Sequence, residues 1–277
     1  MVLISSVWAM ASSALGVSVS VGKVFPVRSK IGESAPACKA GQTNEGERVG
    51  MGEVMTARVD KVESFAEDVK LFRLRPENGP VDFVQGQFLK VLWEGEKGSY
   101  FAIASPPYEK DHLEILVKRG KGVSEKLFSL AGGETLSFEG PLGNGFPLDP
   151  HRSRNLLFVG VGTAIAPLRS TLLEALRRRN EFGRIALYFG TMTPNHLYFG
   201  EDLASWSRMG VDVVVTVTFP DTRWDRHSGF VQHILRAEGH PLPQTVAYVC
   251  GMKEMVEETI AVLKERAIPE EHILQNV

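Results

Sequence analysis

The sequence contains few cysteines, and this scarcity excludes several kinds of site. Only Cys38 and Cys250 occur among 277 residues, so a scaffold held together by disulfides is excluded. A cysteine-ligated iron–sulfur cluster normally takes four thiolates, and a zinc site needs clustered Cys or His ligands. The seven histidines show no close ligand spacing. We therefore expect no metal centre.

The sequence also lacks an excess of positive charge and an uninterrupted apolar run. It contains 31 Lys and Arg against 33 Asp and Glu. Lys23, Arg28 and Lys30 are the only charges before Glu33, which leaves 28 basic against 33 acidic residues, a net charge of −5, in the rest of the chain. No basic stripe favours nucleic acid. Serines and glycines interrupt the apolar N-terminal stretch before about 20 strongly apolar residues, so no transmembrane helix is expected.

Residues 1–50 have the composition of a targeting leader. They are rich in Ser, Ala, Val and Gly, and no acidic residue precedes Glu33. This composition predicts a disordered organelle transit peptide, because a secretory signal would carry a basic n-region that is missing here. The abundance of serine and scarcity of arginine favour a chloroplast or other plastid address, with the mitochondrion as the alternative.

Residues 51–148 predict a small antiparallel barrel. Six strand-length runs, often β-branched or aromatic, are separated by Gly, Pro and Asp, and one short helical stretch reads "SEKLFSL". Many short strands with one helix are typical of a closed barrel. The six runs are "EVMTARVDKV", "VKLFRLRP", "QFLKVLWEG", "YFAIAS", "HLEILVKRG" and "ETLSFEG".

Residues 149–277 predict a doubly wound α/β domain with a parallel sheet. The runs "NLLFVG", "RIALYFG", "VDVVVTVTF" and "TVAYVCG" are continuously apolar, as expected of strands buried on both faces. Helix-like segments follow them, and in the last one Val256, Ile260, Leu263 and Ala267 are predicted to form the apolar side. Ligands bind beyond the carboxyl ends of such strands, so residues 160–163, 190–193, 218–221 and 250–252 should line one crevice.

Two stretches at this predicted edge have functional and structural interpretations. In "LLFVGVGTAIAPLRS", Gly160 and Gly162 allow a tight turn, and the following helix offers N–H groups to an anion. The pattern has two of the three glycines of the dinucleotide fingerprint, so the alternative of a purely structural turn is not excluded. In "YVCGM", the small Cys250 side chain could touch a flat ring, or be a buried small hydrophobe.

Two stretches of the barrel half also carry possible ligand contacts. "SYFAIASPP" is an apolar strand with two adjacent aromatic residues. "VKRGKGVS" is a strand running into a Gly-x-Gly turn, with Lys118, Arg119 and Lys121 nearby and Ser124 placed to cap the short helix. Such a turn can supply main-chain donors and positive charge to a pyrophosphate. A plain strand-to-helix loop is the alternative.

These four stretches, in this order, resemble the ferredoxin-NADP reductase superfamily of flavoproteins. The resemblance extends from about Gly52 to the C-terminus. The most diagnostic parts are "GVGTAIAPLRS", "YVCGM" and "GPLGNGF" at residues 140–146, the last being similar to the electron-transfer subunits that serve dihydroorotate dehydrogenases and hydrogenases. With the leader, the type is similar to the plastid members of the superfamily known as fruit proteins.

The resemblance implies that the barrel binds FAD rather than FMN. Ser99, Tyr100, Phe101 and Ala102 stand at the Arg-x-Tyr-Ser motif of the family, where three functional side chains have changed. Phe101 is expected to stack on the isoalloxazine ring, and Ala102 to offer its main-chain N–H. Ser99 cannot replace the bidentate grip of a guanidinium. The pyrophosphate is then expected to depend on the second flavin segment, namely Val117, Lys118, Gly122, Val123 and Ser124.

The resemblance also implies a nicotinamide nucleotide on the second domain. Gly162, Thr163 and Ala164 would line its phosphates, with Ala164 where the family usually has glycine. Cys250 is the predicted catalytic residue, because with Gly251 it would meet the nicotinamide. The choice between NAD and NADP is open, since Asp221 suits a ribose hydroxyl and Arg223 a phosphate. The remaining predicted cofactor-binding residues are Pro167, Gly190, Thr191 and Met252.

The function implied is an NAD(P)H-dependent flavoprotein oxidoreductase. A hydride would pass from NAD(P)H to FAD, and the electrons would go on to a separate acceptor, for which a protein is one candidate. The changed motif on the flavin strand motivates an alternative, a reductase-fold subunit with reduced or lost activity that acts as a binding or assembly partner. A dehydrogenase without flavin would leave the barrel half and "GKGVS" without a role.

Overall fold

The computed structural model describes residues 54–239 and 242–276. The predicted leader and Cys38 lie outside the described residues. No helix in these two ranges is both long and apolar enough to span a membrane.

The first half forms one antiparallel six-stranded sheet that closes into a barrel. The strand order is β4-β3-β6-β1-β2-β5, and a bridge between Ile103 and Ile115 joins the chain just after β4 to β5. Its inner side chains form one buried apolar cluster. The elements are β1 (Val54–Ala66), β2 (Val69–Pro76), β3 (Phe88–Leu92), β4 (Ser99–Ala102), β5 (Leu113–Lys118), α1 (Val123–Phe128) and β6 (Thr135–Leu142).

The second half is a parallel six-stranded sheet in the order β10-β9-β8-β7-β11-β12. The order reverses at β7, which leads to β8 on one side and lies beside β11 on the other. The elements are β7 (Asn155–Val161), α2 (Ile165–Arg177), β8 (Ile185–Thr191), α3 (Gly200–Arg208), β9 (Asp212–Val217), β10 (His227–Ser228), α4 (Val231–Glu238), β11 (Thr245–Cys250), α5 (Lys253–Glu265) and β12 (Ile273–Gln275).

Alternating residues of the central strands pack on opposite faces of the parallel sheet. In β7, Leu156 and Phe158 belong to the cluster under α2 and α3, while Leu157 and Val159 belong to the cluster under α4 and α5. Helices therefore cover both faces, which confirms the predicted doubly wound architecture. The predicted boundary between residues 148 and 149 falls in the connection from β6 to β7 and stays a prediction.

Two details of the second half differ from the sequence-based expectation. The edge strands β10 and β12 are short and were not predicted. The apolar side predicted for the last helix is wrong at its end, because α5 stops at Glu265 and Ala267 is exposed with a φ of 62°. The side chains buried along α5 are Met255, Thr259, Val262 and Leu263.

The two halves share a buried core. Val69, Leu71 and Leu116 of the barrel, together with Phe146 and Leu148 of the connection, belong to the same apolar cluster as one face of the parallel sheet. Phe146 is fully buried, and its ring lies edge-on to Tyr248 at 5.3 Å between ring centres. The segment "GPLGNGF" thus ends in Phe146, whose side chain packs against Tyr248 of β11 in the shared core.

Candidate functional site

Strand pairing brings the predicted nucleotide-binding residues to one edge of the parallel sheet. Cys250 lies opposite Gly160, and Val161 lies opposite Gly190. Both pairs are at or near the carboxyl ends of their strands. This edge lies at the strand-order reversal, where open parallel sheets bind ligands.

Gly160 and Gly162 answer different structural needs. A Cβ on Gly160 would lie 2.5 Å from Leu168 Cδ1 and 3.1 Å from the carbonyl oxygen of Cys250, so this glycine is required for packing. Gly162 has a φ of 56°, and a Cβ there would have no atom within 4 Å. The backbone at Gly162 therefore faces open space that a ligand can approach.

Helix α2 begins beside this open space without a side-chain cap. Gly162, Thr163 and Ala164 form a single helical turn, and Ala164 makes no capping hydrogen bond at the start of α2. The first N–H groups of a helical segment have no partner within it, which suits an anion. Because the Ile165 N–H at the start of α2 donates to the Gly162 carbonyl, these groups belong to the turn that begins at Gly162. Pro167 is buried in α2, so its side chain packs inside the protein rather than lining the crevice.

The end of β11 carries the predicted nicotinamide contacts. Cys250 is partly buried and borders the shared core, whereas Met252 is 61% exposed. A Cβ on Gly251 would collide with Met255 Cε and approach Val161 Cγ2 to 3.0 Å. A side chain at Gly251 would therefore displace the end of Met255, and the main chain of Gly251 lies next to Cys250 at the crevice.

The ends of β8 and β9 form the far side of the crevice. Gly190 and Thr191 are buried, and the Thr191 hydroxyl donates to the Thr193 carbonyl at 3.1 Å. These two residues shape the edge and do not offer side chains to a ligand. The Phe219 N–H donates to the Met192 carbonyl at 2.8 Å, and both of these side chains are exposed.

Asp221 and Arg223, the two candidates for coenzyme choice, bind each other. The Arg223 guanidinium lies 3.0 Å from Asp221 Oδ2, and the Arg223 N–H donates to Oδ1 at 2.9 Å. These contacts with Arg223 lower the pKa of the Asp221 carboxyl. The pair is surface-exposed, so each residue is free to exchange its partner for a ribose hydroxyl or a phosphate.

The flavin strand β4 turns its two aromatic rings in opposite directions. Phe101 pairs with Leu89 of β3 and belongs to the barrel core, with 9% of its surface exposed. Tyr100 pairs with Lys90 and is 47% exposed. The alternation places the ring of Tyr100, not that of Phe101, on the outer face of the barrel, and the stacking role of Phe101 stays a prediction.

The outer face of β3 and β4 presents polar and aromatic groups around Tyr100. The Phe88 ring lies edge-on to it, at 5.5 Å between centres. Lys90 donates to Glu139 at 2.8 Å, and this hydrogen bond raises the pKa of the Lys90 amine. Ser99 and Ala102 are partly buried at the two ends of β4.

The Gly-x-Gly turn lies beside the Ser99 end of β4. Gly122 has a φ of 62°, and a Cβ there would lie 3.1 Å from Glu96 Oε2, in the loop that leads into β4. The prediction that Ser124 caps α1 is wrong, because Gly122 precedes the helix and Ser124 lies inside it. Val117 and Val123 are buried in the barrel core, so only their main chains could meet a ligand.

Basic side chains near this turn already have acidic neighbours. Lys118 lies 3.7 Å from Asp68, and Arg119 binds Glu125 at 2.9 Å. Both pairs are exposed, and exposed pairs typically contribute only about 0–1 kcal/mol. A phosphate could therefore replace a carboxylate at little cost.

Strand β4 thus connects the two halves of the candidate site. Its Ser99 end lies by the Gly122 turn, and its other end leads to Ala104, which belongs to the shared core. Ala102 and Cys250 border that same core. A planar group along the outer face of β4 would have its anionic part at the turn and its ring toward the edge of the parallel sheet.

Sequence reasoning missed Arg169 and Glu114. The Glu114 side chain is 5% exposed and accepts from Arg169 at 2.9 Å and from Arg73 at 2.9 Å. The signal was a charge flanked by apolar residues in "HLEILVK", since a buried carboxylate requires a partner. Among the described residues no group of His, Cys, Asp and Glu could hold a metal ion.

Two family models match the two halves of the chain. Residues 56–146 match the oxidoreductase FAD-binding domain, and residues 158–260 match the oxidoreductase NAD-binding domain. Sulfhydrogenase 1 subunit gamma of Pyrococcus furiosus is 30% identical over 215 residues, which are 74% of this chain and 73% of that protein.

A second relative is a longer protein. Terephthalate 1,2-dioxygenase reductase component 2 of Comamonas sp is 32% identical over 209 residues, covering 73% of this chain and 61% of that one. The chain therefore spans about three fifths of this relative's length.

Solved structures share the fold. A ferredoxin NADP+ reductase from Neisseria gonorrhoeae with bound FAD and NADP has a TM-score of 0.69 at 22% identity, covering 80% of this chain and 97% of that one. A cytochrome P450 reductase from Amycolatopsis has a TM-score of 0.74 at 23% identity, covering 84% of this chain and 72% of that one.

Proposed function

Because the chain belongs to the ferredoxin-NADP reductase-like superfamily of flavoprotein oxidoreductases, we propose that it transfers electrons from NAD(P)H through FAD to a separate acceptor. The observation that carries this proposal is the course of β4. The strand leads from the Gly122 turn to the shared core beside the parallel sheet. An FAD on the barrel and a nucleotide on the sheet edge would meet there.

The groups on the outer face of the barrel fit FAD. The exposed Tyr100 ring offers an apolar face for stacking, and the Lys90 amine stays positively charged. The main-chain N–H groups of Val123 and Ser124, with Lys118, can bind the pyrophosphate. Bound FAD would supply an acceptor for the hydride of NAD(P)H, two electrons and a proton, and would pass the electrons on to the separate acceptor.

On the parallel sheet, the groups of the chain itself would bind and orient the nicotinamide nucleotide. The open backbone of Gly162 and the helical turn that begins there would receive the nucleotide phosphates. Cys250 and Gly251 hold the nicotinamide at the end of β11 that faces the barrel. Asp221 and Arg223 would meet the adenosine ribose. Whichever of the two exchanges its partner for the ligand decides the coenzyme: Asp221 would bind a ribose hydroxyl, and Arg223 a 2′-phosphate.

A protein is the acceptor that the relatives support. One is named as a subunit and the other as a reductase component, so each belongs to a larger system. We extend this arrangement to the present chain and propose that it hands electrons to a separate protein.

FAD titration separates this proposal from the alternative of an inactive binding partner. We expect the purified chain to bind FAD. We also expect NADH or NADPH, added in the absence of oxygen, to bleach the absorbance of the bound flavin. A chain that neither binds FAD nor supports its reduction would contradict the proposal and favour the alternative.

Two neighbouring substitutions test which ring contacts the flavin. Tyr100→Ala should weaken FAD binding about twofold to tenfold, and should change stability by only about 0.5 kcal/mol. Phe101→Ala should lower the free energy of unfolding by about 3–5 kcal/mol. If folded Phe101→Ala binds FAD more weakly and Tyr100→Ala binds it as the wild type does, Phe101 is the residue that stacks on the flavin, as predicted from the sequence.

We also propose that residues 1–50 carry a plastid address. The support is compositional: serine is frequent, arginine is scarce, and no acidic residue precedes Glu33. A fluorescent protein fused after residue 50 should accumulate in plastids of plant cells. Accumulation in mitochondria would favour the alternative address.

A further inference from the structure

Arg169 of α2 reaches across the boundary between the two halves. Its Nη1 donates to the Ala104 carbonyl at 2.8 Å and to Glu114 Oε2 at 2.9 Å. Its Nε donates to Asp202 Oδ2 at 2.6 Å, and its guanidinium lies over the Phe199 ring at 4.5 Å from the ring centre. One side chain thus joins β5 and the segment after β4 to α2 and α3.

The next residue of α2 makes a second contact with the same segment. The Ser170 hydroxyl donates to the Ser105 carbonyl at 2.7 Å, and both serines are fully buried. The Glu114 N–H donates to the Ser105 hydroxyl at 3.1 Å, and the Ala104 N–H donates to the Glu114 carbonyl at 2.7 Å. Two consecutive carbonyls after the flavin strand are therefore held by two consecutive residues of α2.

This set of contacts, the Arg169 clasp, lies close to both ligand sites. Ala104 is two residues beyond the end of β4, and α2 begins directly after Gly162–Ala164. At about 1.5 Å of rise per residue, Arg169 is roughly 10 Å along the helix from that turn. The clasp joins α2, which follows the nucleotide turn, to the segment that follows β4.

We propose that Arg169 is a positioning residue that sets the distance between the nicotinamide and the flavin. The inference rests on the proposed function. A displacement of about 1 Å between reacting groups can slow a reaction by about a hundredfold, so a polar contact that fixes the two halves near both sites bears on the rate. Arg169 fixes the segment after β4 to α2 and so keeps the nicotinamide and flavin rings at the distance that the reaction requires.

Arg178, the residue directly after α2, provides a matched control. Its side chain is 14% exposed, as is that of Arg169. It binds Asp149 at 2.6 Å and Glu181 at 2.7 Å, and lies over the Phe182 ring at 5.6 Å. All of these partners belong to residues 149–277, so Arg178 does not bind the barrel.

The first readout is the limiting rate of flavin reduction by saturating NADPH or NADH, measured by stopped flow on the full FAD-loaded chain. Arg169→Met should lower this rate by at least about tenfold, with little change in FAD affinity. Arg169→Lys keeps the charge and three donors, but all three are on one nitrogen, which cannot reach all the partners that Arg169 binds through Nε and Nη1. Its rate should therefore be intermediate. Arg178→Met should stay within about twofold of the wild type.

The second readout needs neither cofactor nor activity. Hydrogen exchange of the apo chain should speed up about tenfold at residues 99–105 in Arg169→Met, but not in Arg178→Met. Equal reduction rates and equal exchange in the two methionine variants would overturn the inference. If Arg169→Met fails to fold, Arg169→Lys decides in the same way. A wild-type chain that NADPH and NADH leave oxidised would refute the proposed function, and the inference with it.

Discussion

Gly160 near the end of β7 and Gly162 in the turn that follows have separable tasks, and alanine substitutions should distinguish them. Gly160→Ala places a methyl group against Leu168 and the Cys250 carbonyl. We expect it to lower the free energy of unfolding by about 1–3 kcal/mol through overpacking. Gly162→Ala adds a methyl group in open space, at a φ of 56°. Its backbone strain should cost about 1–2 kcal/mol, while the methyl group should obstruct the nucleotide phosphates.

The deciding measurement is nucleotide affinity relative to stability. NADP+ or NAD+ binding should weaken more in Gly162→Ala than in Gly160→Ala, although chemical denaturation should show similar losses of stability. The opposite ranking would show that Gly162 is only a structural turn.

At the residue scale, the sequence predicted which strand or turn a residue belongs to better than it predicted the direction in which the side chain points. The motif around Phe101 predicted a strand at residues 99–102, which the structure contains as β4, but the direction of each ring depends on which face of β4 meets the barrel core. That choice depends on pairing with Leu89 and Lys90, which are distant in sequence. Ser124 shows the same limit, because the start of α1 depends on the positive φ of Gly122.

At the element scale, a histidine in the connection between the halves makes stability depend on pH. His151 is buried against Tyr248 and His272. Burial, followed by electrostatic repulsion from the neighbouring His272 and Arg154, lowers the pKa of His151. Between the lowered pKa and the ordinary value of about 6.5, the unfolded chain binds a proton that the folded chain does not. Stability is therefore lost as the pH falls below about 6.5.

We expect His151→Phe to reduce this sensitivity to acid. Each unit by which the pKa is lowered contributes about 1.4 kcal/mol, or roughly 3–6 °C in Tm for a domain of this size. Thermal unfolding followed from about pH 7.5 to pH 5.5 should show a smaller fall in Tm for the variant. Parallel losses in the two proteins would assign the acid sensitivity to other groups.

The elements themselves were predictable where burial acts locally. The four long strands of the parallel sheet are continuously apolar because both of their faces are covered by helices. Strands β10 and β12 escaped prediction because they have two and three residues. Such edge strands owe their position to the neighbouring strand rather than to their own pattern, and a period cannot be detected over so few residues.

At the scale of the whole molecule, the shared core couples the barrel to the parallel sheet. The sequence predicted two halves from their different patterns, but not the buried contacts that Val69, Leu71 and Phe146 make with the second half. Such contacts join residues far apart in sequence, and each is an ordinary apolar position in its own segment. Because either half would expose this surface alone, we expect the two halves to unfold together.

FAD provides a test of this coupling, since it is expected to bind the barrel. At a concentration of 100 Kd, a ligand that binds only the folded state stabilises it by about 2.7 kcal/mol, equivalent to roughly 5–10 °C in Tm. Calorimetry of the chain should show one transition, and FAD should shift all of it to higher temperature. NADP+, which is expected to bind the other half, should shift the same transition. Two transitions, of which FAD shifts only one, would mean that the halves unfold independently and that the shared core does not couple them.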